Sequence, residues 1–160
     1  MTKNPATPAA SLQTHQTLEQ SIVIAAGIDR VEDTITALEM MKHWLNPVLI
    51  CEPIDGPWST AVGAKSRFMV RIPGLNLVLQ NQVVEREIGL VVWSFDGFFR
   101  GTDRWECQPH PEGTQLVNRF TFEIPNPIVR LGFTLFASTW TARDMQAQLQ
   151  RIRAIAESDS

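Results

Sequence analysis

The chain has 160 residues, is 44% hydrophobic and 19% charged, and has a formal net charge of −3. That length and composition fit one soluble globular domain with its own core, and the mild acidity argues against a nucleic-acid surface, which needs a concentrated basic face. No apolar run approaches the roughly 20 residues of a membrane span.

Residues 1–14 are polar, contain Pro5 and Pro8, and lack the apolar stretch of a signal peptide. A disordered tail is expected there, ahead of a single domain over residues 15–157. Cys51 and Cys107 show neither CxxC spacing nor a plausible zinc set, and both are expected as buried free thiols. A cytoplasmic protein is the resulting default. Thr17 to Ala25 alternates loosely and ends in Ile22-Val23-Ile24, which reads as a first strand. Asp29 to Leu45 has a helical pattern with Val31, Ile35, Leu38 and Met41 facing inward, as one helix or two short ones. Asn46-Pro47 ends it, since the residue before a proline is pushed out of the helical basin.

Six strands are expected next. Val48 to Glu52 is short. Ala64 to Ile72 sets Ser66, Phe68, Val70 and Ile72 against Lys65, Arg67 and Arg71, the period of a half-buried strand. Leu75 to Glu87 puts Leu75, Leu77, Leu79, Asn81 and Val83 on one face. Leu90 to Phe95, Phe98 to Gln108 and Thr114 to Ile124 follow, the last with Leu116, Phe120, Phe122 and Ile124 inward. Short turns between them imply an antiparallel meander, because parallel pairs need long crossovers.

Pro127 to Ala156 then reads as one long amphipathic helix. Asn126 is a favoured N-cap and Pro127 suits the first helical position. Ile128, Leu131, Leu135, Ser138, Ala142, Met145, Leu149 and Ile152 share a face. Its two halves differ. Arg143 to Ala156 keeps a narrow stripe, whereas Ile128 to Trp140 is apolar nearly all round, with Phe133, Phe136 and Trp140 added. The expected architecture is α+β, with about seven antiparallel strands and the long helix over the apolar face.

This order of elements resembles the START/Bet v 1-like (SRPBCC) superfamily of helix-grip folds. Two stretches sharpen the likeness. The hairpin Trp105-Glu106-Cys107-Gln108-Pro109, continuing Gly113-Thr114-Gln115-Leu116-Val117, is similar to a hairpin common in its polyketide cyclase/dehydrase-like members. The segment Asp29 to Pro47, ending Lys42-His43-Trp44-Leu45-Asn46-Pro47, is similar to their short helix pair. The resemblance implies a curved sheet that grips the C-terminal helix around an internal apolar cavity.

Catalytic signatures are missing: the chain has no GxSxG, P-loop, GxGxxG after a strand, or HExxH. His15, His43 and His110 are too scattered to share a metal, and no metal or cofactor is expected. His43 is the one histidine able to approach a cavity mouth. Polar residues on inward strand faces are more telling, because such groups cost free energy unless paired. Asn118 interrupts Leu116, Phe120 and Phe122, and Asp103 shares a parity with Trp105 and Cys107. Such residues either form a satisfied internal network or lie at the sheet rim, or together mark the polar end of a ligand pocket, where a desolvated Asp103 could act as an acid or base.

The leading expectation is a binding or carrier protein for a hydrophobic or amphiphilic small molecule such as a lipid, isoprenoid, quinone or polyketide. Its pocket would be lined by Phe68, Val92, Phe120, Phe122, Leu131, Leu135 and Met145, with Asp103 and Asn118 as polar contacts. A cyclase, aromatase or dehydratase using Asp103 or His43 is the alternative. A co-chaperone or membrane-contact module is the third, with Phe133, Phe136 and Trp140 mediating a transient membrane contact or a homodimer.

Overall fold

The computed structural model describes residues 15–132 and 138–158. Its elements run β1 (Gln16–Ile24), α1 (Ile28–Thr36), α2 (Leu38–Trp44), β2 (Leu49–Pro53), β3 (Lys65–Ile72), β4 (Leu75–Glu87), β5 (Leu90–Gly97), β6 (Arg100–His110), β7 (Gly113–Glu123), α3 (Pro127–Gly132) and α4 (Ser138–Ser158). The helical pattern of residues 29–45 resolves into two helices because Ala37 between them is extended, at φ −76° and ψ 124°.

The strands form one antiparallel sheet in the order β1-β7-β6-β5-β4-β3-β2. Strands β2 to β7 are the expected meander, and β1 closes the sheet beside β7. The curved, open sheet, the paired short helices and the long C-terminal helix make a helix-grip α+β fold. Gly113, at φ +134°, turns the chain into β7. A Cβ there would lie 2.3 Å from the Ile24 carbonyl oxygen, so the edge of β1 needs a glycine at this point.

Registers define the concave face. One line across it runs Val83, Trp93, Asp103, Phe120 and Leu18, and the next runs Val91, Trp105, Asn118 and Gln20. The pairing of β4 with β5 slips between Val83 and Glu85, a β-bulge that reverses which side chains point inward. Beyond the bulge Arg86 reaches inward and pairs with Glu32 of α1. The Glu32 carboxylate also accepts the Gly89 N–H at 2.5 Å, so one acid ties α1 to the β4–β5 turn.

The main core lies under the C-terminal half of α4. Leu149, Ile152 and Ala156 are fully buried against Ile24, Val31, Ile35, Trp44, Val91 and Trp105. Apolar burial at roughly 25 cal/mol per Å² makes this the main source of stability. Polar ties fix the helix: Arg151 Nε donates to the Trp44 carbonyl at 2.8 Å, Asn46 Nδ2 to Asp144 Oδ1 at 2.8 Å, and Gln20 Nε2 to the Ala142 carbonyl at 2.9 Å.

The expected helix over 127–156 is present at both ends. Asn126 caps α3 as anticipated, its Oδ1 accepting the amide N–H groups of Ile128 (2.9 Å) and Val129 (3.3 Å). Phe133, Leu135 and Phe136 lie outside the described residues, as does the N-terminal stretch 1–14. Among the described residues no helix is long and apolar enough to cross a membrane.

Candidate functional site

The middle of the concave face is polar. β6 sets Asp103 two residues before Trp105 on the same side, and β7 sets Asn118 opposite Trp105. Asp103 accepts the Trp105 indole N–H at 2.9 Å on one oxygen and Asn118 Nδ2 at 2.6 Å on the other. Asn118, only 2% exposed, donates its second hydrogen to the Arg104 carbonyl at 3.2 Å. Burial pushes the Asp103 carboxyl up to about 6, against the pull of the two hydrogen bonds, and no cation offsets it. The carboxyl therefore titrates near neutrality, which suits a group that holds or exchanges a proton.

On one side of this pair is the indole of Trp105, tilted against Trp44 at 5.3 Å between ring centroids. That is the edge of the dry core. On the other side is an aromatic cluster in which Phe120 stacks on Phe95 at 5.1 Å and meets Phe122 at 5.0 Å. Leu18, Leu79 and Phe99 flank the cluster. Asp103 and Asn118 thus separate a packed apolar half of the concave face from an aromatic half.

The structure sorts the residues singled out from the sequence. Asp103, Asn118, Phe120 and Phe122 gather at this centre. Phe68 is on the same face but packs against the main core, and Met145 is buried on the inner side of α4. Val92 belongs to the opposite face: it pairs with Glu85 and Arg104, while its neighbours Val91 and Trp93 point inward. The parity there is hidden by an apolar run, Leu90 to Trp93, that is buried on both faces. Leu131 is 63% exposed, so it does not line the concave face. His43 is exposed near the end of α2 and takes no part. Leu135 is outside the described residues.

Sequence reasoning missed Gln20 and Phe95. Gln20 shares the parity of Leu18, Ile22 and Ile24 on β1, and that alternation was the available signal. Other arginines decorate the outer face. Arg104 bridges Glu85 at 3.0 Å and Glu106 at 3.2 Å, and Arg119 meets Glu19 at 2.5 Å. Depressions of about 240 Å³, among Glu19, Arg104, Glu106 and Arg119, and about 430 Å³, beside residues 54–65, lie outside the space between sheet and helix. Cys51 and Cys107 are free and buried, each thiol pushed up to about 12 chiefly by burial, so neither is a nucleophile near neutrality. Among the described residues no three His, Cys, Asp or Glu side chains gather around a possible metal position.

Solved structures share this fold. An uncharacterised protein from Rhizobium leguminosarum superposes with a TM-score of 0.71 at 15% identity, over 90% of this chain and 95% of its own. TTHA0849 from Thermus thermophilus gives 0.67 at 19% identity, over 92% and 99%. MLL2253 from Mesorhizobium loti gives 0.67 at 13% identity, over 91% and 99%. Comparison with curated proteins finds no match. The family model described as polyketide cyclase / dehydrase and lipid transport matches residues 15–157, and with the sheet, helices and hairpin all in place, the chain belongs to that family.

Proposed function

We propose that this protein binds a hydrophobic or amphiphilic small molecule against the aromatic half of the concave face, with its polar end at Asp103 and Asn118. The observation that supports this most is the buried Asp103–Asn118 pair itself. Burying a carboxyl without a cation costs free energy, and a more apolar sequence would pack the fold more stably. A polar spot beside Phe95, Phe120 and Phe122 matches the usual make-up of a small-molecule site, mostly apolar with a few orienting polar groups. Family membership, which joins lipid transport to cyclase and dehydrase activity, supports the same class of ligand.

Carriage is the favoured role. Native mass spectrometry of protein purified from its source organism tests it: a co-purifying apolar molecule, lost in Phe120→Ala, is the expected result. Apo protein together with no binding of any apolar probe would end the reading. A cyclase- or dehydratase-type reaction is the second reading, favoured by the Asp103 carboxyl near 6. It requires turnover of the bound molecule that Asp103→Asn abolishes while binding persists.

A further inference from the structure

We propose that Gln20 is a recognition residue, and that the bound molecule ends in a hydrogen-bond donor, a hydroxyl or an N–H, which meets Gln20 Oε1. This rests on the concave-face reading above and adds to it the chemistry of the ligand's polar end.

Gln20 stands opposite Asn118 in the β1–β7 pairing, so the two side chains are neighbours on the inner face. Its Nε2 donates to the Ala142 carbonyl at 2.9 Å. That bond sets the direction of the amide, because a carbonyl oxygen can face only the nitrogen end. Oε1 is then turned away from Ala142, is shielded from solvent and has no partner among the described residues. Buried side-chain acceptors in folded proteins nearly always have a donor, supplied by protein, water or ligand.

Above about pH 6, where Asp103 is ionised, the neighbouring donors cannot serve it. The single N–H of Trp105 is committed to Asp103. Both hydrogens of Asn118 Nδ2 are committed, to Asp103 and to the Arg104 carbonyl. Each oxygen of ionised Asp103 accepts one of these bonds and keeps capacity for another. The polar centre of the concave face thus has spare acceptors and committed donors. A ligand ending in an ether, ketone or carboxylate would bring lone pairs against lone pairs. One ending in a hydroxyl or N–H would satisfy the unpartnered Gln20 oxygen.

Three flat apolar probes that differ at one position test this: 2-naphthol, 2-methoxynaphthalene and 2-naphthylamine, titrated into the full chain with tryptophan fluorescence as the readout. Naphthol should bind at least about tenfold more tightly than the methyl ether. The amine distinguishes an N–H donor from a hydroxyl. In Gln20→Met the preference for naphthol over the ether should fall below about threefold, because the ether no longer meets the Gln20 lone pairs.

If the wild-type protein binds ether and naphthol equally, the donor requirement is wrong while the concave-face reading stands. If naphthol is preferred but Gln20→Met leaves the preference intact, Gln20 has no part in it. If no probe binds, the reading of the face as a ligand site falls, and this inference with it. The wild-type comparison needs no variant to fold, so the donor requirement is testable in any case.

Discussion

The two ends of the C-terminal segment behave as different materials. From Met145 to Ala156, α4 keeps a narrow apolar stripe, and the stripe is fully used: Leu149, Ile152 and Ala156 have no exposed surface. At the other end the sequence is richer in apolar residues, yet Ile128 is 81% exposed, Leu131 63% and Trp140 56%. Hydrophobicity alone therefore does not say which end is core. A stripe of the right width against α1, α2 and β1 is buried, whereas apolar residues all round a short helix cannot all find a neighbour in one chain. The first end stabilises the fold. The second lies at the side where Phe95, Phe120 and Phe122 form the aromatic half of the sheet.

The largest effect that would test this contrast is Leu149→Ala, expected to lower unfolding free energy by about 2–5 kcal/mol in urea titration. A loss under about 1 kcal/mol would mean that α4 is not the main clamp. Next is the pH dependence set by Asp103. Its carboxyl rises from an ordinary 3.8 to about 6 in the folded protein, so the folded state binds this proton more tightly than the unfolded chain does. Stability from this group is present below about 4 and declines as pH rises through about 6, by about 1–3 kcal/mol. Urea midpoints measured from pH 4 to 7.5 should show this decline in the wild type and a flatter profile in Asp103→Asn. Parallel profiles would remove Asp103 from the account.

Smaller again is Asn126→Ala, which removes the cap of α3 and should cost about 1 kcal/mol locally. Faster hydrogen exchange at the Ile128 and Val129 amides, with the α4 amides near Leu149 unchanged, is the expected pattern. Acceleration in both places would show the two ends to be one cooperative unit. The smallest stability effect is expected for Leu131→Ser, within about 0.5 kcal/mol of wild type because the side chain is exposed. Its binding of an apolar probe should nevertheless weaken if this end borders ligand entry. Unchanged binding would assign the exposed residues another purpose.

Much of the fold was legible in the sequence because each of its signals is local. The period of two from Lys65 to Ile72 and from Gly113 to Glu123 comes from the pleat. The Asn126 cap comes from hydrogen bonds to the amides two and three residues on. Asp103 and Asn118 were legible because polar residues broke an otherwise apolar parity. Val92 was misread because Leu90 to Trp93 is apolar and buried on both faces, so no alternation marks the inward side. The bulge between Val83 and Glu85 acts on β4 itself, sending Arg86 inward. Leu131 was misread because the periodicity of a helix says which residues share a face but not whether anything covers it.

By itself, then, the sequence determined the element order, the antiparallel meander, the helical stretch after β1 and the polar pair on β6 and β7. All of these follow from backbone geometry and from contacts between near neighbours. Only the tertiary structure decided that Gln20 stands opposite Asn118, that Arg86 turns inward to Glu32, and that Ile128, Leu131 and Trp140 are exposed while the sparser end of the C-terminal segment is buried. Those outcomes depend on which strands meet in which register and on how much of a helix the sheet can cover.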